Sequence, residues 1–208
     1  MRVLRFSGVL GVLLSILLPF AGGAQYWAKG VGGPSNDSFT DLVVAALVNS
    51  YVTGEFGGVI TFGATSTMTT YGSLDAVVAK FDPSGGLIWS THFGGPGLDR
   101  GIALELGPNG ALVVVGQFMS TANFGGTMIT SQNNTQDVFV VSMEALTGAV
   151  NWVRQGGGGE GVDQPNGVSV GSDGSIAVAG EFRGTATFDG GTLTSVIDPD
   201  TDEPSVDI

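Results

Sequence analysis

The sequence predicts an all-β fold assembled from repeated four-stranded antiparallel units. Trp27, Trp89 and Trp152 recur at intervals of 62 and 63, within Trp-Ala-Lys-Gly-Val-Gly-Gly, Trp-Ser-Thr-His-Phe-Gly-Gly and Trp-Val-Arg-Gln-Gly-Gly-Gly. Gly54-Glu55-Phe56, Gly116-Gln117-Phe118 and Gly180-Glu181-Phe182 recur at intervals of 62 and 64, and Phe62, Phe124 and Phe188, a little further on in each unit, keep the same offsets. Independent landmarks sharing one register mark an internal repeat. No segment beyond residue 24 carries a sustained apolar period of 3.6, so essentially no helix is expected there.

Taken in order, residues 1–24 read as a signal peptide. Arg2 and Arg5 form a short basic start, Phe6 to Phe20 an apolar stretch of about fifteen residues, and Ala21-Gly22-Gly23-Ala24 a small-residue cleavage site. The stretch is short of the roughly 20 residues that a membrane-spanning helix needs. The expectation is therefore export with cleavage after Ala24, a secreted or cell-surface protein, and no stable membrane span afterwards. Residues 25–191 hold the repeats, in units of about 27–88, 89–151 and 152–191, and residues 192–208 form an acidic tail.

Within the second unit, Gly101 to Leu106 predicts a first strand and Ala111 to Phe118 a Val-rich second. The Pro108-Asn109-Gly110 turn lies between them, its Asn-Gly pair suiting a hairpin in which both residues take positive φ. Asp137 to Met143 is the third strand, and Ala149 to Arg154, after Leu146-Thr147-Gly148, the fourth. The Gly- and Thr-rich stretch from Met119 to Gln136 predicts a hairpin excursion at one edge. In the first unit Asp75-Ala-Val-Val-Ala-Lys-Phe-Asp matches Asp137-Val-Phe-Val-Val-Ser-Met-Glu at an interval of 62. Asp82-Pro83-Ser84-Gly85-Gly86 makes that unit's turn, and Ser172-Asp173-Gly174 a turn of the third. Two departures stand out. Ala45 to Ser50 replaces the expected turn before Tyr51, and after Phe188 the Asp-plus-apolar strand is missing, its place taken by Ile197-Asp198-Pro199-Asp200-Thr201-Asp202-Glu203-Pro204.

Four-stranded units repeated in tandem are the way β-propellers are built. The register of Trp and Gly-Gly, then Tyr51-Val52-Thr53-Gly54-Glu55-Phe56, then Asp75 to Gly86, resembles the SBBP-type β-propeller repeats of secreted bacterial proteins over nearly all of residues 26–191. The resemblance implies large exported repeat proteins with no common catalytic residue. About three blades fall short of the four to eight of closed propellers, so the expectation is an incomplete β-propeller. It is completed by a second chain as a homo-oligomer, or it is a fragment of a longer propeller.

Charge and composition narrow the function. The chain has 7 basic and 19 acidic residues, a net charge of −12, one histidine and no cysteine. Loss of residues 1–24 removes Arg2 and Arg5 and no acid, leaving 5 basic and 19 acidic groups and a net of −14. Phosphate backbones are held by clustered Lys and Arg, so nucleic acid is excluded as a partner. Without cysteine there are no disulfides, thiolate nucleophiles or zinc ribbons.

Asp37, Asp99 and Asp163 recur at offsets of 10, 10 and 11 from the three tryptophans. One reading has them converging at one end of the ring on calcium, a hard ion suited to oxygen ligands. The other has each bonding its own loop backbone, as Asx turns do. Asp75 and Asp137 read as backbone braces. Asp198, Asp200 and Asp202 alternate like the start of a calcium loop but lack its Gly and its twelfth-position carboxylate, and so read as a solvated tail or a weak calcium contact. The recurrent Trp and Phe residues read as filling between blades rather than sugar platforms, and the Gly-Gly pairs as turn formers. His92, matched by Gly30 and Gln155, reads as a surface or edge residue. With no catalytic constellation and no cofactor beyond calcium, the expected function is a noncatalytic scaffold or binding module for protein or glycan. A glycan-processing hydrolase or lyase using Asp99 and Asp163 is the enzyme alternative, and a calcium-stabilised structural repeat the third.

Overall fold

The computed structural model describes residues 11–16, 26–45, 49–63, 66–196 and 206–207, and among them every regular element but one short 3-10 turn is a β-strand. Strand β1 (Gly11–Ile16) runs antiparallel to β2 (Tyr26–Val31). The first complete unit is a sheet in sequence order, β3 (Asp37–Val44), β4 (Ser50–Phe62), β5 (Ser66–Phe81) and β6 (Leu87–Phe93). The second opens with β7 (Arg100–Leu106) and β8 (Ala111–Met119), makes a hairpin of β9 (Thr121–Phe124) and β10 (Thr127–Thr130), and closes with β11 (Gln136–Glu144) and β12 (Val150–Gly157). The third consists of β13 (Gln164–Val170), β14 (Ile176–Arg183), the hairpin β15 (Thr185–Phe188) and β16 (Gly191–Thr194), and the short β17 (Val206–Asp207). The strands pair antiparallel, as the four-stranded repeat predicts. The sheets of the described residues do not close into a ring.

Because sheets repeat with the sequence, matching residues occupy matching places. Phe56 lies opposite Asp75 and Phe118 opposite Asp137. The excursion between second and third strands is the β9–β10 hairpin, and in the first unit its counterpart is the far end of β4 folded on the start of β5, Val59–Phe62 against Ser66–Thr69. Each hairpin reaches back to the end of the preceding fourth strand, through Gly32 with Thr61, Gly94 with Asn123, and Gly156 and Gly157 with Phe188 and Thr187. The hairpin backbone comes so close that a Cβ at Gly33, Gly95 or Gly158 would lie 1.6, 2.0 and 1.9 Å from a carbonyl oxygen of Val59, Thr121 or Thr185. The Gly-Gly pairs therefore do more than turn the chain, because they admit the next unit's hairpin.

The core lies between units. Tyr51, Val78 and Phe93 of the first pack with Leu104, Phe118, Phe124 and Phe139 of the second, while Val31 of β2 joins Phe56, Phe62 and Phe81 in a separate cluster. The tryptophans of the fourth strands serve these seams. Trp27 covers Gly85, and Trp89 covers Gly148 while its indole N–H donates to the Ala145 carbonyl at 3.3 Å.

Four local expectations change. The Asn109-Gly110 turn has positive φ at Gly110 alone (73°), with the Gly107 amide bonded to the Ala111 carbonyl at 2.8 Å. It is a short hairpin loop with one left-handed glycine, and Gly85, Gly148 and Gly174 take the same left-handed position in theirs. The Ala45–Ser50 stretch does hold a turn, since the Ala45 amide donates to the Asn49 carbonyl at 2.9 Å between β3 and β4. His92 is not a surface residue. Its side chain is only 14% exposed and packs against Tyr71 and Phe56, with ring centroids 4.7 and 5.5 Å away. Finally, the third unit's missing strand does begin, at β17. Asp207 lies opposite Phe182, the register of Asp75 and Asp137, but it follows Asp137 at an interval of 70 instead of 62. The displacement is the inserted acidic Ile197–Pro204 text. Asp198, Asp200 and Asp202 lie outside the described residues.

Candidate functional site

Asp37, Asp99 and Asp163 each stand at the entry of a first strand and hold two pieces of backbone together. The Asp99 Oδ2 accepts the Gly95 amide at 2.8 Å and its Oδ1 the Met119 amide at 3.4 Å. Asp37 accepts from Gly33 and Gly57 at 2.7 and 3.4 Å, and Asp163 from Gly158 and Arg183 at 2.7 and 3.2 Å. In each unit the carboxylate thus ties the entry loop to the end of the second strand, a fixed turn that a short acidic side chain makes well. Among the described residues, no three His, Asp or Glu side chains gather in an arrangement that would hold a metal ion.

The third-strand aspartates meet these clamps. A Cβ at Gly94 would lie 2.6 Å from Asp75 Oδ1 and 2.8 Å from Asp99 Oδ2, and one at Gly157 would lie 2.8 Å from Asp163 Oδ2 and 2.9 Å from Asp137 Oδ1. So Asp75 and Asp99 converge at the seam between first and second units, and Asp137 and Asp163 at the next. Asp75 accepts the Tyr71 amide at 3.0 Å through Oδ2, and its buried Oδ1 has no hydrogen-bond partner. Asp137 accepts the Gln132 amide at 3.0 Å and the Thr135 hydroxyl at 3.3 Å. Burial pushes Asp75 and Asp137 up to about 6 and Asp99 up to about 7, with the neighbouring carboxylate adding to the rise at Asp99 and Asp137. Burial also raises Asp37 and Asp163. His92 Nε2 lies 3.6 Å from Asp75, but burial lowers the imidazole pKa, so the contact is between a neutral ring and a carboxyl group.

Polar side chains cross the same seams. Arg100 pairs with Glu55 at 2.6 Å, and Gln117, in the position of Glu55, donates to the Asp163 carbonyl at 3.1 Å. The buried Lys80 ammonium donates to the Ala145 carbonyl at 3.1 Å. Recurrence made the aspartates visible in the sequence. The pairing of Asp75 with Asp99 across units was not visible, because only the stacking of sheets brings residues so far apart in the chain to one glycine.

The other concave feature is a groove of about 890 Å3 between the second and third units, lined by Val138, Val140, Trp152, Ile176, Val178 and Phe188 among others. It is predominantly apolar, and no residue of it was a sequence candidate except as core filling. Its signal in the sequence was the irregular spacing of the third unit.

No family model matches the chain, and no curated protein matches it. No helix of the described residues is long and apolar enough to cross a membrane.

Proposed function

We propose that this chain is a secreted, noncatalytic β-propeller-repeat protein of the SBBP-like kind, working as an extracellular or cell-surface scaffold or binding module for protein or glycan. The observation that carries the reading is the use made of the recurrent carboxylates: Asp37, Asp99 and Asp163 accept backbone amides at the unit seams rather than facing an open cleft. Residues that recur in every unit and bond the unit's own backbone serve architecture, and the binding surface then falls to what differs between units. The signal-like residues 1–24 and the acidic composition support export and discourage anionic partners.

The test is a panel of polysaccharides and extracellular proteins offered to the purified chain, read for retention and for turnover. Saturable retention without product is expected. Turnover that disappears in Asp99→Asn would replace this reading with the glycan-processing one, in which a carboxyl group held protonated near neutrality acts as general acid.

A further inference from the structure

We propose that the groove beside β14 takes an extended, alternately apolar segment of another polypeptide, which adds to the third unit as its next strand. The inference rests on reading the chain as a binding module and names what that module binds. Val52, Val114 and Val178 hold the same place in the three second strands; the first two are 0% exposed and Val178 is 41% exposed. The difference comes from the flank. β4 is covered by β5 and β8 by β11 along their lengths, whereas among the described residues β14 has on that side only Val206–Asp207, opposite Arg183 and Phe182. An edge of free amides and carbonyls beside an apolar wall is what strand addition requires.

Register and side-chain preference follow from the filled units. β17 enters with Asp207 opposite Phe182, as Asp75 faces Phe56 and Asp137 faces Phe118. Two positions on, Phe139 lies opposite Gly116 with its ring 2.5 Å from where a Cβ there would stand. The matching Gly180 lines the groove, so the ligand places a large apolar residue over it. Trp152 gives the second half of the footprint. Its counterparts Trp27 and Trp89 are covered by the glycine turns at Gly85 and Gly148 between the next unit's third and fourth strands, whereas Trp152 lines the groove. A strand–turn–strand segment with glycine in its turn completes both contacts.

The probe is a synthetic peptide with the sequence of residues 139–154, added to the full chain and followed by Trp152 fluorescence and by calorimetry, with Trp152→Phe to assign the signal. Saturable binding is expected, with a blue-shifted emission and a raised melting temperature. Val178→Lys and Gly180→Val, each checked by circular dichroism, are expected to weaken it by about tenfold or more, since one buries a charge and the other fills the glycine gap. A peptide carrying Asp at its Phe139 and Val141 positions is expected not to bind. Absence of binding, or binding indifferent to both groove variants, overturns the proposal. Self-association of the chain that Val178→Lys abolishes and the peptide cannot compete with also overturns it, and assigns the groove to a second copy. Retention of a glycan or protein by Val178→Lys while peptide binding is absent would sink the groove alone and leave the binding-module reading standing.

Discussion

Asp75, from the third strand of one unit, and Asp99, from the entry loop of the next, aim carboxylate oxygens at the same glycine, Gly94, and neither is exposed to solvent. Two acids so placed are easier to bury when one or both are neutral, which is why burial and mutual repulsion raise them to about 6 and about 7. The same arrangement recurs with Asp137 and Asp163 at Gly157, so proton uptake is built into each seam.

The consequence is a stability that falls as pH rises. Folded Asp75, Asp99 and Asp137 hold their protons above the unfolded carboxylate value of 3.8, so between about pH 4 and 7 the native state binds more protons than the unfolded one. Stability from these groups is full near pH 4 and is lost as pH climbs through 6 to 7. Thermal unfolding from pH 4.5 to 8.5 is expected to show a lower melting temperature at pH 8 than at pH 5, by roughly 2–4 °C for each kcal/mol. Asp99→Asn removes one titrating group and is expected to flatten the upper part of that profile. A melting temperature that rises towards pH 8 would show that these carboxylates ionise at no cost.

Gly95→Ala tests the approach of the hairpin. The added methyl would lie 2.0 Å from the Thr121 carbonyl oxygen, which is backbone and cannot rotate away. A loss of about 1–3 kcal/mol in urea unfolding is expected. Gly126→Ala, where nothing stands within 4 Å but φ is 101°, should cost about 1–2 kcal/mol through the backbone alone.

The three matched valines make an internal control. Val114→Ala empties a fully buried site and is expected to lose about 2 kcal/mol. Val178→Ala, at 41% exposure, is expected to stay within about 0.5 kcal/mol. Equal losses would mean that the third unit's edge is covered in solution.

Calcium is expected to leave the melting temperature unchanged. Both oxygens of Asp37, Asp99 and Asp163 already accept backbone amides, so an ion would have to displace those donors. Scans in millimolar Ca2+ and in chelator check this, and a rise with calcium would place an ion on the native state.

The sequence by itself determined the strands and their order, because side chains alternating about a two-residue period and a register held from Trp27 to Phe188 are local properties of the text. It showed which aspartates recur, and it located the hairpin excursion from Met119 to Gln136. The tertiary structure alone decided how the units meet. Residues far apart in sequence, such as Asp75 and Asp99, or Thr121 and Gly95, become neighbours only when one sheet stacks on the next and its hairpin crosses the seam. Asp207 was hidden for the same reason: the inserted Ile197–Pro204 text broke the interval, while the backbone register opposite Phe182 did not change. The groove at Val178 was equally invisible, since a valine that reads as core is buried only if a neighbouring strand is there to bury it.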